Sequence, residues 1–239
     1  MDGRPYIILN GTSSESIDGL LVQSLPPISK PAMRYDAEEI DGRAGDIVTT
    51  LGYKAYDKSF KIGLYGDFDI DKVIEFFSGS GRVTFSNELD KEYDYQILDS
   101  IDFERAIRFR EATVKMHVQP YKRSTMERAK VWTFSEQSQS VKVVNAGNAP
   151  SCPMITLSGS GNVSLFLDGA STITVSMPES GSVRIDVEGM NAYSGSSDNL
   201  ANRLVMGDYS SLSLSVGANT LSWVGNITEL SIENYSRWI

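Results

Sequence analysis

The sequence predicts a mainly β protein in two parts: an α+β part with one helix on a sheet, then an all-β sandwich. Three observations lead there. Short apolar segments with a period of two recur along the 239 residues, and a single segment has helical spacing. The charge usage also changes partway. Residues 1–125 hold 16 of the 22 basic and 21 of the 31 acidic residues, which leaves residues 126–239 with 6 and 10. That second part is serine-rich, contains Trp132, Trp223 and Trp238, and is punctuated by glycines at short intervals, the pattern of a sandwich.

Taken in order, Tyr6-Ile7-Ile8-Leu9 followed by Asn10-Gly11 is a strand entering a tight turn, because Asn-Gly accepts the positive φ angles such turns need. Phe60, Ile62 and Leu64 alternate with Lys61 and Gly63, and Val114, Met116 and Val118 alternate with Lys115, His117 and Gln119; each reads as a strand with one buried face. Asp69 or Asp71 is placed to cap a helix through Val73, Ile74, Phe76 and Phe77, whose wide apolar stripe would face the sheet, with Gly79 as its stop. Val83-Thr84-Phe85 and Tyr93 to Ile97 return to strand. Pro120 is expected to end strand pairing, and the polar stretch Lys122 to Lys130 reads as a linker, which sets the domains at 1–130 and 131–239. Beyond it, strands are expected near 141–145, 153–158, 163–167, 172–177, 182–187, 203–206, 211–216, 220–224 and 228–234.

Composition narrows the function. With 41% hydrophobic and 22% charged residues the chain is neither disordered nor fibrous. A net charge of −9 argues against a nucleic-acid partner, since phosphate neutralisation needs clustered Lys and Arg. The longest apolar run, Tyr6 to Leu9, is far short of a membrane helix, and no basic-then-apolar signal opens the chain, so a soluble, non-exported protein is expected. One cysteine, Cys152, cannot form an internal disulfide and fits a reducing cytoplasm.

Chemistry finds little support. His117, the single histidine, has no Asp or Glu within two residues and reads as an exposed strand residue. Cys152 precedes Pro153 at the start of an apolar strand and reads as a small buried residue. Asp67-Phe68-Asp69-Ile70-Asp71 imitates a calcium loop, but Lys72 and Ser78 stand where glycine and glutamate are required, so helix capping is the better reading and no metal or cofactor is expected. Glu38-Glu39, Asp90, Glu92 and Asp94 read as a solvated face, and Gly159-Ser160-Gly161 as a turn. Trp223 shares a strand face with Leu221; it is either core or an exposed sugar platform, and core is favoured.

In order and spacing, these segments resemble the distal tail proteins of long-tailed, non-contractile bacteriophages and of prophages in Gram-positive bacteria. The resemblance is carried by Ile8-Leu9-Asn10-Gly11, Pro26-Pro27-Ile28, Ile40-Asp41-Gly42-Arg43-Ala44-Gly45-Asp46, Gly79-Ser80-Gly81, Val118-Gln119-Pro120-Tyr121, Val144-Asn145-Ala146-Gly147-Asn148, Gly207-Asp208-Tyr209 and Val216-Gly217-Ala218-Asn219. It covers essentially the whole chain. It implies a non-enzymatic virion protein of the tail tip, assembled in the host cytoplasm. Its first domain, of sheet, helix and extended hairpin, would close a homohexameric ring, and a galectin-like β-sandwich would project outward. The implied partners are the major tail tube protein, the tail-associated hub or lysin protein, and receptor-binding or baseplate proteins. The Gly42-to-Asp46 loop, with Gly42 and Gly45 permitting a sharp turn and Arg43 suited to bidentate pairing, is the expected inter-subunit contact. The alternative is a carbohydrate-binding module using Trp223 or Tyr209. The second part has no histidine, so a galectin-type lactose site is not carried over by any matching residue.

Overall fold

Asn10 and Gly11, at φ +50° and +86°, turn strand β1 (Ile7–Leu9) back onto β2 (Thr12–Ser13) in the computed structural model, which describes residues 3–135, 139–178, 181–194 and 200–239. The chain divides into two compact units, Met1–Thr125 with Ile239, and Met126–Trp238. The first unit continues with β3 (Leu20–Val22), β4 (Met33–Glu39), β5 (Asp46–Tyr53), β6 (Tyr56–Leu64), helix α1 (Ile70–Phe76), β7 (Ser80–Phe85), β8 (Lys91–Gln96), helix α2 (Phe103–Arg108) and β9 (Ala112–Ser124). Seven of these strands make one antiparallel sheet in the order β2-β1-β7-β8-β9-β6-β3, while β4 and β5 pair only with each other.

Alternation decides what the sheet buries. Phe60, Ile62 and Leu64 of β6, with Val114, Met116 and Val118 of β9, point into the core, where Phe60 meets Phe85 edge-on at 6.2 Å. Each such burial stabilises by about 1.5–3 kcal/mol. In α1 the Asp69 carboxylate accepts the Asp71 and Lys72 amide hydrogens at 3.1 and 3.4 Å, so the acidic run caps the helix. Val73 and Phe77 face the core, but Ile74 is 43% exposed, so the apolar stripe is narrower than its spacing predicts. The short α2 buries only Ala106 within its length and shows no stripe by which periodicity could find it.

Pro120 does not end its strand. β9 runs on through it to Ser124, because its pairing with β6 stops at Val118 and the β8 register shifts between Tyr93 and Tyr95. No ladder bond is required of the missing amide hydrogen there.

The second unit contains β10 (Lys130–Thr133), β11 (Ser140–Asn145), β12 (Met154–Leu167), β13 (Ala170–Ser176), β14 (Ser182–Asp186), β15 (Asn191–Ser194), β16 (Val205–Gly207) and β17 (Gly217–Glu233). Two long strands, β12 and β17, pair with each other, and each takes one further neighbour along its first half and another along its second. Their inward residues, Leu157, Val163, Leu165, Trp223 and Ile232 among them, fill the core between the layers. The segments expected at 153–158 and 163–167 are one strand, as are those at 220–224 and 228–234. Gly159-Ser160-Gly161 is thus a bulge inside β12, not a turn. A Cβ on Gly159 would lie 2.0 Å from the Asn226 carbonyl oxygen, so glycine lets the ribbon bend without breaking. The strand expected at 211–216 is instead a 3-10 turn, Tyr209–Leu212, capped by Asp208, whose carboxylate accepts the Ser210 amide hydrogen at 2.8 Å.

Candidate functional site

The β4–β5 ribbon is an arm that none of its own unit covers. Residues 32–52 are all exposed, among them Tyr35 at 61%, Val48 at 57% and Leu51 at 48%. Opposed residues share a face, so Tyr35 with Thr50, Ala37 with Val48 and Glu39 with Asp46 form one side, and Asp36 with Thr49 and Glu38 with Ile47 the other. Leu51 is the extra residue of a bulge, and its carbonyl accepts from the Arg34 guanidinium at 3.0 Å. Gly42 and Gly45, at φ +82° and +81°, turn the tip, and the Arg43 amide donates to the Ile40 carbonyl at 3.0 Å. Gly42, Arg43, Gly45 and Asp46 are thereby collected at the arm's end. Among the described residues, no ion pair reaches the arm's five carboxylates, Asp36, Glu38, Glu39, Asp41 and Asp46. An isolated two-stranded ribbon is marginal in water, so this one needs a cover.

The arm's root, by contrast, is latched. The Asn87 amide donates to the Pro26 carbonyl at 3.1 Å, the Lys58 ammonium to that of Pro27 at 2.9 Å, and the Tyr56 hydroxyl to that of Ser29 at 3.5 Å. Lys58 is only 3% exposed and sits among the rings of Tyr93, Tyr56 and Phe85, 4.8 to 5.6 Å from their centroids. Burial pushes its ammonium below the ordinary lysine range, Glu88 opposes that, and Lys122 adds to it. Glu88 accepts from Lys122 at 2.8 Å and from the Tyr93 hydroxyl. Burial and then Glu88 hold the Tyr93 phenol well above its usual value. The period of β6 could have revealed this latch, because Lys58 lies between Tyr56 and Phe60 on the inward face.

A groove of about 410 Å³ lies between the β1–β2 turn and α1. Leu9, Ile17 and Phe76 line it with apolar surface, and exposed Lys72 and Glu75 stand beside them.

The sequence's chemical candidates fall elsewhere. His117, 38% exposed, has Nδ1 2.9 Å from an Asp57 carboxylate oxygen, a neighbour supplied by the β6–β9 pairing and hidden from local sequence. Lys115 bridges Asp57 and Asp99 at 2.9 and 3.1 Å; the hydrogen bond with His117 and then that from Lys115 hold the Asp57 carboxyl below its usual range. Cys152 is half-buried rather than fully buried, with an Arg237 guanidinium nitrogen 3.8 Å from its sulfur. Glu92 and Asp94 pair with Arg82, and Asp94 also with Arg123. Trp223 is 2% exposed and packs against Phe134 at 4.7 Å, so it is core and offers no face for a sugar. Tyr209 is partly buried, its hydroxyl 3.3 Å from Asn202.

A sheet unit carrying a protruding ribbon, joined to a β-sandwich, is the fold found in phage tail-hub and baseplate structures. The chain superposes on SPP1 Dit (gp 19.1), a solved structure described as a paradigm of the hub adsorption apparatus in Gram-positive infecting phages. The TM-score is 0.70 at 16% identity, over 99% of this chain and 100% of that one. It also superposes on a chain of the phage P2 baseplate in its activated conformation with Ca, with a TM-score of 0.53 at 10% identity, over 97% of each. No family model and no curated protein matches the sequence.

Proposed function

We propose that this chain is a structural, non-enzymatic protein of a long, non-contractile phage tail. In this reading six copies close a ring through the first unit, and the ring joins the tail tube to the tail-associated hub and to receptor-binding or baseplate proteins. Its place is the tail tip of the virion, after assembly in the host cytoplasm. The observation that carries the reading is the uncovered arm, on a chain whose fold matches SPP1 Dit over nearly all of both lengths. A ribbon with its apolar residues in water and two unpaired edges finds its cover on another chain. A heterologous contact repeated by rotation gives a ring when the rotation closes. Negative-stain imaging of the purified protein, alone and mixed with the tail tube protein, tests this. Six-fold rings that cap tube ends are expected, and single particles that ignore the tube would overturn it.

A further inference from the structure

We propose that Asn10 is a site of spontaneous deamidation, and that its grip on β7 holds the reaction back while the β1–β2 turn is closed. Asn10-Gly11 is the one Asn-Gly pair in the chain. Glycine leaves its own backbone nitrogen unhindered, so this pair is where an asparagine cyclises most readily. Both residues are exposed to water, and a Cβ on Gly11 would have nothing within 4 Å. In the reaction the Gly11 nitrogen attacks Asn10 Cγ and gives its proton to solvent. The Cγ–Nδ2 bond breaks, and Nδ2 takes up a proton and leaves as ammonia. Water then opens the cyclic imide at either carbonyl, giving aspartate or isoaspartate.

The restraint comes from where the carboxamide is held. The Asn10 amide donates to the Arg82 carbonyl at 2.9 Å, Asn10 Oδ1 accepts the Arg82 amide hydrogen at 2.8 Å, and Nδ2 donates to the Ser80 carbonyl at 3.3 Å. The side chain thus continues onto β7 the ladder that Leu9 ends opposite Val83. Gly81 makes the room, since a Cβ there would lie 1.9 Å from Asn10 Oδ1. Cγ reaches the Gly11 nitrogen only by rotating off both β7 groups, so ring closure waits on local opening. The second unit shows what an aspartate does in such a place. Asp168, also followed by glycine and at φ +49°, donates its amide to the Thr220 carbonyl at 2.9 Å and accepts the Thr220 amide hydrogen at 2.7 Å. Aspartate at position 10 therefore keeps the Arg82 contact and loses the one to Ser80, whereas isoaspartate adds a main-chain atom inside a tight turn. Asn10 also lines the groove beside α1, so either product adds a carboxylate to a wall shared with Lys72 and Glu75.

Peptide mapping by mass spectrometry, after incubation at mildly alkaline pH, tests this. Asn10 is expected to convert about ten-fold or more faster in the guanidinium-unfolded chain than in the folded one. Gly81→Ala, shown to be folded by its cooperative unfolding, should bring the folded rate to within about three-fold of the unfolded one. Amide exchange gives a readout that does not depend on that variant: the Arg82 amide should exchange slowly in the wild type and in Asn10→Asp, and quickly in Asn10→Ala. Equal conversion in folded and unfolded wild type, a folded Gly81→Ala chain as slow as the wild type, or an Arg82 amide indifferent to Asn10→Ala overturns the restraint. No conversion of Asn10 even in the unfolded chain overturns the site itself.

Discussion

Two antiparallel ribbons of this chain use the same backbone geometry to opposite ends. β12 and β17 turn Leu157, Leu165, Trp223 and Leu230 inward and bury them almost completely, whereas β4 and β5 leave Tyr35, Val48 and Leu51 in water. The difference lies in what stands across from each ribbon. The sandwich ribbon has a second layer to close upon; the arm has none in its own unit, and its base is held by side chains that grip backbone carbonyls. A ribbon fixed at the root and bare along its length is built to meet another surface. Stability should therefore respond to substitutions in the core and at the root, and assembly to substitutions along the arm.

The largest effect on stability is expected in the first core. Phe60→Ala removes a ring packed against Phe77 and Phe85 and should cost about 3–5 kcal/mol in chemical unfolding. Lys58→Met keeps the bulk but leaves the Pro27 carbonyl without its donor, at a cost of about 1–3 kcal/mol. Its signature is faster amide exchange in the segment entering the arm, with the sandwich unchanged. Trp223→Phe trades buried area against the removal of an indole N–H that has no acceptor among the described residues, so about 1 kcal/mol is expected, less than for Phe60→Ala. Val48→Ser should leave the unfolding of the single chain within about 0.5 kcal/mol, yet weaken self-association. Equal destabilisation by Val48→Ser and Phe60→Ala would erase the contrast between the ribbons.

Alkaline pH sharpens the same contrast. The Tyr93 phenol is raised above its ordinary 10.0, so in that range the folded state keeps a proton that the unfolded state releases. The stability this group contributes is complete below pH 10.0 and falls as pH rises above it. Tyr93→Phe should therefore flatten the loss of stability of the first unit above that pH in denaturant titrations.

Much of the sheet was legible because Phe60-Ile62-Leu64 and Val114-Met116-Val118 follow a strict period of two, and α1 because Asp69 and Gly79 mark its ends. The arm's strands escaped that reading for a physical reason. Both of its faces are wet, so Asp46-Ile47-Val48-Thr49-Thr50-Leu51 carries no alternation, that of Tyr35 and Ala37 across from it is too short to mark a buried face, and the residue pattern marked only the tip glycines. The long strands β12 and β17 read as pieces because their glycines, taken as stops, act as bends. The period of β6 turns Lys58 inward but does not name its acceptor, a carbonyl 31 positions away in an irregular segment, and the His117–Asp57 contact joins residues 60 positions apart that only the β6–β9 pairing brings together.

The central claim is that the arm exists to contact another copy. Its most direct test is the solution mass, by light scattering across a range of concentrations, of the wild-type chain beside a variant with residues 33–53 replaced by a short Gly-Ser link. A wild type that reaches six chains, with an arm-less variant that stays folded and monomeric, is the predicted result. Equal masses for the two, whether both assembled or both monomeric, would contradict it.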